Sequence, residues 1–282
     1  MWDFVHDVNN RNIIFFSYIQ NLIFFEMYQY ILITFAIIGI LIIAFIIYNT
    51  NSKDNTDAQG PIKKNNSIYK WFQHDAEKKN KPLHIRSGWG YLNKLHFNEM
   101  TDSWLHKMNP PIKQNESVFE MGCGVGAILT HISNTFASNG SQQDPTGSTS
   151  IKVGGSDFSP NAIQVAKNIF KSNNFYCLNM IDKHPIPDNS VDHVISSGAL
   201  GMYLKKEEMV LAIKEAVRMT KPGGSLCFTH FLEEKGHKRG SIVDKVNKSY
   251  WISLKDELGI DNIVFGKLKH QGDRYFFTCI KI

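Results

Sequence analysis

The pattern of apolar and polar positions changes three times along the chain. From Tyr30 to Tyr48 the sequence reads YILITFAIIGILIIAFIIY, without a single charge. As a helix rising about 1.5 Å per residue, this run matches the roughly 30 Å hydrocarbon layer of a bilayer. It is apolar on every face and bounded by tyrosines, which favour the headgroup boundary, so residues 30–48 are expected to span a membrane. A cleaved signal peptide would start with basic residues near position 1, whereas here the run follows Asp3, Asp7 and Glu26. Within residues 1–29, the segment Ile13–Phe25 is too short to cross alone and carries Ser17, Gln20 and Asn21 at helical spacing, so it reads as interfacial.

Residues 49–67 (NTNSKDNTDAQGPIKKNNS) are polar, Asn-rich and broken by Gly60-Pro61, a composition that buries too little apolar surface to offset chain entropy. They read as a tether to a domain covering residues 68–282. Its first part, 68–116, interleaves Tyr69, Trp71, Phe72, Trp89, Tyr91, Phe97 and Trp104 with basic and amide residues, and is expected to be a partly helical cap. Trp89-Gly90-Tyr91 reads as packing or as a lid over a ligand.

From residue 117 to 282 apolar strands alternate with amphipathic helices, the signature of an α/β core with a mainly parallel sheet. Strands are expected at Val118–Met121, Ile151–Ser156, Phe175–Leu178, Val191–Ser196 and Ser225–Thr229. Ile263–Leu268 and Tyr275–Ile280 add an antiparallel edge pair. Helices are expected at Gly126–Phe136, after Ser159-Pro160 with Ala162, Val165, Ala166 and Ile169 on one face, at Lys206–Met219, and near Ser249–Leu258. Lys221-Pro222-Gly223-Gly224 punctuates the helix that ends at Met219 and leads to the strand Ser225–Thr229, and the low-complexity stretch 137–150 reads as a surface insertion.

The 282 residues are 43% hydrophobic and 20% charged, which excludes a disordered chain. Residues 1–50 hold one basic side chain, Arg11, against three acidic ones, so the net charge of +5 comes from the remainder. That excess is scattered, and no nucleic-acid partner is expected. Lys53, Lys63, Lys64, Lys70, Lys78, Lys79 and Lys81 follow the apolar span while only Arg11 precedes it, so the positive-inside rule places the long C-terminal part in the cytosol. The sequon Asn115-Glu116-Ser117 would then not meet the glycosylation machinery. Cys123, Cys177, Cys227 and Cys279 are far apart with no CxxC pair, so neither a zinc cluster nor a disulfide framework is suggested.

Candidate chemistry concentrates in VFEMGCGVGAI, residues 118–128, where a strand ending in Glu120 runs into Gly122-x-Gly124-x-Gly126 and a helix. Glycines there permit a tight turn and leave no Cβ between the backbone and a ligand, and the helix start offers unpaired N–H groups. Asp157, at the end of the second strand, is placed to accept hydrogen bonds from the two ribose hydroxyls of a nucleoside, with Phe158 beside it to cover a purine face. A dinucleotide-binding dehydrogenase would show GxGxxG with its acid about 20 residues on. Here the pattern is GxGxG and Asp157 stands 35 positions after Gly122.

With VFEMGCGVG, GGSDFSPNAIQVAKN, HPIPDNSVDHVISSGAL and AIKEAVRMTKPGGSLCF in order, residues 117 to 224 resemble the class I S-adenosylmethionine-dependent methyltransferases of the type 11 group. The resemblance implies a Rossmann-like, doubly wound, mostly parallel sheet of seven strands, preceded here by the single transmembrane helix. It implies S-adenosyl-L-methionine as cofactor. Glu120, Gly122, Cys123, Gly124 and Gly126 would hold its methionine part, Asp157 the ribose and Phe158 the adenine, with Ser197 near the sulfonium. The family often reads the adenine amino group with an acid or amide after the third strand; Met180 stands there, flanked by Asn179 and Asp182. Either Asn179 substitutes or the backbone of Ile181 does the recognition, with Met180 packing on the ring.

Methyl transfer from a sulfonium needs alignment and exclusion of water, and needs a base only for a hydroxyl or ammonium acceptor. His230, past the fifth strand, and Tyr203, after the fourth, are the candidates for that role; each reads equally as a structural residue. His193, inside a strand, reads as structural. No metal site is expected, because His74, His84, His96 and His106 lack the HxxxH or HExxH spacing. The sequence thus predicts a membrane-anchored methyltransferase acting on a small-molecule or lipid-like acceptor. The alternatives are a non-catalytic binding module of the same fold and a protein methyltransferase.

Overall fold

The computed structural model describes residues 81–86, 93–138, 151–232, 246–272 and 274–282. The interfacial segment, the span at 30–48, the linker, the Trp89-Gly90-Tyr91 stretch and most of the 137–150 insertion lie outside the described residues. No helix among the described residues is long and apolar enough to cross a membrane. The chain divides into two units between Asp57 and Ala58, inside the stretch read as a tether, and every described residue belongs to the second.

Among the described residues two helices precede the sheet, α1 (Leu83–Arg86) and α2 (Lys94–Leu105). Asn93 starts α2 because its side chain accepts the Leu95 N–H at 2.8 Å. The core then alternates β1 (Ser117–Met121), α3 (Ala127–Ser138), β2 (Lys152–Asp157), α4 (Pro160–Phe170), β3 (Phe175–Cys177), β4 (Val191–Ser196), α5 (Leu200–Tyr203) and α6 (Lys206–Met219). It closes with β5 (Thr220–Leu232), α7 (Lys248–Ser253), α8 (Lys255–Leu258), β6 (Ile260–Lys267) and β7 (Arg274–Lys281).

One sheet holds all seven strands in the order β3-β2-β1-β4-β5-β7-β6. The first five are parallel, and β7 enters antiparallel between β5 and β6. The central strands β1 and β4 are buried almost throughout, which is why SVFEM and VDHVIS show no strict alternation. Chain order reverses between β1 and β4, so a crevice is expected at the C-terminal ends of these two strands.

Each face of the sheet carries its own apolar layer. On one face α2, α3 and α4 contribute Phe97, Met100, Trp104, Leu129, Ile132 and Ala166. On the other α6, α7 and α8 contribute Met209, Ala212, Ile213, Trp251 and Leu258. Helix α4 starts as its sequence requires, with Ser159 accepting the Ala162 N–H at 3.2 Å and Pro160 in the first turn.

Three expectations are corrected. Lys221-Pro222-Gly223-Gly224 does not separate α6 from a strand: β5 already begins at Thr220, paired with Val191, and a bulge takes up the extra residues before Ser225 pairs with His193. Ile169 is not on the buried face of α4, being 37% exposed; Ile163 is buried with Ala162 and Ala166 instead. The helix read near Ser249–Leu258 is two short ones, broken at Leu254. The last two strands form the expected antiparallel edge pair, with β7 next to β5 and β6 at the edge.

Trp251, fully buried, packs its ring about 5.1 Å from those of Phe231 and Phe277 and so anchors the α7–α8 layer. Trp251→Ala should lower unfolding free energy by about 3–5 kcal/mol in a denaturant titration. A loss below about 1 kcal/mol would show that this layer does not carry the C-terminal half.

Candidate functional site

The site is built on the turn between β1 and α3. Gly122 and Gly124 have φ of +79° and +52°, a left-handed conformation that side chains with a Cβ rarely adopt. The turn is pinned from below, since the Gly122 and Cys123 N–H groups donate to the Ser156 carbonyl at 2.7 and 2.9 Å. A Cβ at Gly122 would lie 2.3 Å from Ala199 Cβ and 3.0 Å from Met180 Cε, so at this position glycine is required for packing. A Cβ at Gly124 would meet nothing within 4 Å. The two glycines therefore do different work: Gly122 lets protein close on protein, and Gly124 leaves open space above the turn.

Asp157 ends β2 and ties it to this turn. One carboxylate oxygen accepts the Gly124 N–H at 2.9 Å, and the other accepts the Ser159 N–H at 2.9 Å. Burial raises its pKa from 3.8 to about 6, while those two N–H groups pull it down. Glu120, 1% exposed, leaves one carboxylate oxygen buried without a hydrogen-bond partner. Burial first, and the charge of Asp157 second, push its pKa well above the usual carboxylate range. An orphaned buried oxygen costs free energy unless a donor reaches it. The Cys123 thiol is likewise raised by burial, which makes it a packing residue rather than a nucleophile.

After β3 the chain turns tightly. Asn179 accepts the Ile181 N–H through its side-chain oxygen at 3.3 Å, and Asp182 accepts the Asn179 N–H at 3.3 Å. The Ile181 N–H is thus engaged within the turn. The Asn179 carboxamide is buried and oriented, and Met180 lies under Gly122. Phe158 is half-buried at the end of β2.

After β4, Ser197 is buried with its hydroxyl 3.5 Å from that of Thr229, which also accepts the Gly198 N–H at 3.1 Å. Tyr203 closes α5. Its pKa is pushed up to about 12, first by burial and then by the negative charge of Asp157, with Arg274 acting in the opposite sense. Near neutral pH it is therefore a phenol that donates, not a base. His230 lies within β5, and its side chain falls outside the described residues. His193 is structural, bonded to Ser225 at 2.6 Å and Glu116 at 2.8 Å.

Several supporting residues were not legible in the sequence. His184 is buried, with Nδ1 2.9 Å from the Asp182 carbonyl and Nε2 2.7 Å from the Ser156 hydroxyl. A carbonyl only accepts, so Nδ1 carries the proton and the Ser156 hydroxyl donates to Nε2. Glu215 accepts the His184 N–H at 2.6 Å and is held in turn by Arg218 at 2.7 Å. Thr229 and Arg274 also belong to the site's surroundings. At the same sheet edge, the structure brings His96, Glu99 and His270 together, although no HxxxH or HExxH motif marks them.

Residues 119–228 match the family described as "Methyltransferase domain". No curated protein matches the chain. Among solved structures, a chain from the Haloferax volcanii complex of a methyltransferase activator with a methyltransferase aligns at 16% identity and a TM-score of 0.53, over 70% of this chain and 93% of that one. The Haemonchus contortus phosphoethanolamine N-methyltransferase 2, in complex with S-adenosyl-L-methionine, aligns at 15% identity and 0.51, over 77% of this chain and 58% of that one. The cyclase SpnF aligns at 17% identity and 0.50, over 66% of this chain and 80% of that one. At these identities the likeness is one of fold, a seven-stranded sheet in which β7 is antiparallel to its neighbours.

The open space at Gly124, the orphaned Glu120 oxygen and the buried Asp157 carboxylate together fit S-adenosylmethionine. Gly124→Ala should keep the fold at a cost of about 1–2 kcal/mol for the left-handed backbone and bind this compound at least about tenfold more weakly. Gly122→Ala should lose folded stability as well, because its Cβ clashes with Ala199. Thermal unfolding and calorimetry on both variants separate these outcomes; unchanged affinity in Gly124→Ala would place the cofactor elsewhere.

Proposed function

We propose that the chain is a membrane-anchored, S-adenosylmethionine-dependent methyltransferase acting on a small-molecule or lipid-like acceptor, a reading supported by the match of residues 119–228 to a methyltransferase-domain family. The observation that carries this reading is the cradle at the β1–α3 turn, where the Asp157 carboxylate holds the Gly124 N–H at 2.9 Å beside open space and an orphaned Glu120 oxygen. Glu120 takes the ammonium end of the cofactor, Asp157 its ribose hydroxyls, and Asn179 with Met180 the adenine. The bound cofactor supplies the electrophilic methyl group, so the protein's part is to align the acceptor and keep water out.

Tyr203, a neutral phenol with pKa about 12, orients an acceptor by hydrogen bonding and does not deprotonate it. This favours an acceptor that is already nucleophilic at neutral pH. Residues 30–48 provide the single-pass anchor, and the lysines that follow place the domain in the cytosol. Anchoring raises the local concentration of an acceptor that partitions into the bilayer. That a protein named as a [4+2]-cyclase aligns with the same fold supports a second reading, a binding module of this fold that does not transfer methyl groups.

Asp157 sets a pH dependence with two opposite signs. Its folded pKa of about 6 lies above the ordinary 3.8, so the folded protein without ligand prefers the proton. That contribution to stability is complete below about 4 and lost as pH rises through 6, by roughly 3 kcal/mol. Ribose hydroxyls donate to the ionised carboxylate, so cofactor affinity should be flat above pH 6 and fall about tenfold per pH unit below it. In Asp157→Asn, affinity at pH 7.5 should drop by about 1.5–3 kcal/mol and the slope should vanish. Calorimetry across pH 5–8 checks both, and a wild-type slope retained in Asp157→Asn would remove the ribose assignment.

The activity itself is tested by incubating membranes containing the full chain with methyl-labelled S-adenosylmethionine and a lipid and metabolite extract. Label is expected in the lipid fraction, and the chain is expected to require detergent for release. Cofactor binding without any labelled product would favour the binding module, and a chain soluble without detergent would overturn the anchor.

A further inference from the structure

Among the described residues outside the cofactor cradle, one cluster of side chains has the chemistry of a ligand site. His96 and Glu99 stand three residues apart on α2 and therefore share one helix face. His270 reaches that face from the β6–β7 turn, from a backbone at φ +60°. Its ring stacks on that of His96 with centroids 4.2 Å apart, and its Nε2 lies 2.5 Å from a Glu99 carboxylate oxygen. One ligand atom from each of the three residues lies within 4.8 Å of the others. An exposed imidazole–carboxylate contact stabilises a fold little by itself, so this convergence across 171 residues is not explained by that pair.

We propose that His96, Glu99 and His270 bind a divalent transition-metal ion that clasps helix α2 to the β6–β7 turn. Two imidazoles and one carboxylate form the donor set of open zinc sites, with a remaining position for water or another oxygen ligand. Tetrahedral coordination at about 2.0–2.2 Å separates neighbouring ligand atoms by roughly 3.3–3.6 Å. Side-chain shifts of about an ångström, accessible to exposed and half-exposed residues, bring the three atoms to that spacing.

The position gives the ion a role. Leu232, at the C-terminal end of β5, pairs with Arg274 at the start of β7, so the turn carrying His270 lies at the sheet edge that holds the glycine turn. Arg274 in turn acts electrostatically on Tyr203. An ion here fixes the helix and the hairpin that rim the site, and this inference stands independently of methyl transfer.

The test is calorimetric titration of zinc chloride into metal-depleted, tag-free full-length protein. One ion per chain is expected, with a dissociation constant below about 10 μM, together with a rise in thermal midpoint. His96→Ala, Glu99→Gln and His270→Asn should each weaken binding at least about tenfold, Asn being tolerated at the left-handed position. His106→Ala, on an exposed residue just past α2, should bind as the wild type does. Equal thermal midpoints of the metal-free variants establish that they fold. Absence of saturable uptake, or uptake that persists in the His96→Ala/His270→Asn double variant, would overturn the site.

Discussion

The hydrogen bond from the Gly124 N–H to the Asp157 carboxylate is the constraint on which the rest of the site depends. It holds the β1–α3 turn against the end of β2, the two strands whose C-terminal ends form one wall of the crevice. It also requires a carboxylate in the interior, where burial opposes ionisation and two backbone N–H groups favour it. The balance near pH 6 leaves this group responsive to whatever arrives above Gly124. A second carboxyl, Glu120, lies buried close enough to feel that charge. Two buried acids this close disfavour ionising together, an arrangement that an incoming cationic, hydroxyl-bearing ligand relieves.

Support for this constraint comes from residues that touch no ligand. Ser156 accepts two N–H groups of the turn through its carbonyl and donates its hydroxyl to His184. His184 is fixed to Glu215, and Glu215 to Arg218 on α6. Arg218 also binds the carbonyls of His184 and Ile186, so the loop after β3 is fastened to the opposite helical layer. Asn179 and Met180 are placed by this chain of polar contacts rather than by the strand that precedes them.

Particular residues show how far sequence reading reaches. The spacing of Gly122, Gly124 and Gly126 was legible because left-handed turns need glycine, and Asp157 because strand ends converge on the crevice in doubly wound folds. The sequence showed Gly122 and Gly124 as equivalent, whereas the structure gives one to packing and the other to open space. Lys221-Pro222-Gly223-Gly224 looked like a stop signal and proved to be a bulged stretch of strand, since pairing with β4 overrides local turn preference. Ile169 matched the helical period yet faces solvent, because the period does not say which apolar stripe the sheet covers.

The sequence by itself determined the succession of strands and helices from β1 onward, the start of α4, the glycine turn after β1 and the acid at the end of β2. Each of these rests on short-range physics: side-chain period, capping, and the backbone freedom of single residues. Only the tertiary structure decided that Tyr203 feels both Asp157 and Arg274, that His184 underpins Ser156, and that His270 meets His96 and Glu99. The contacts made by Arg274 and His270 depend on β7 entering between β5 and β6, a choice of strand neighbour made by the packing of the whole sheet and written in no local pattern.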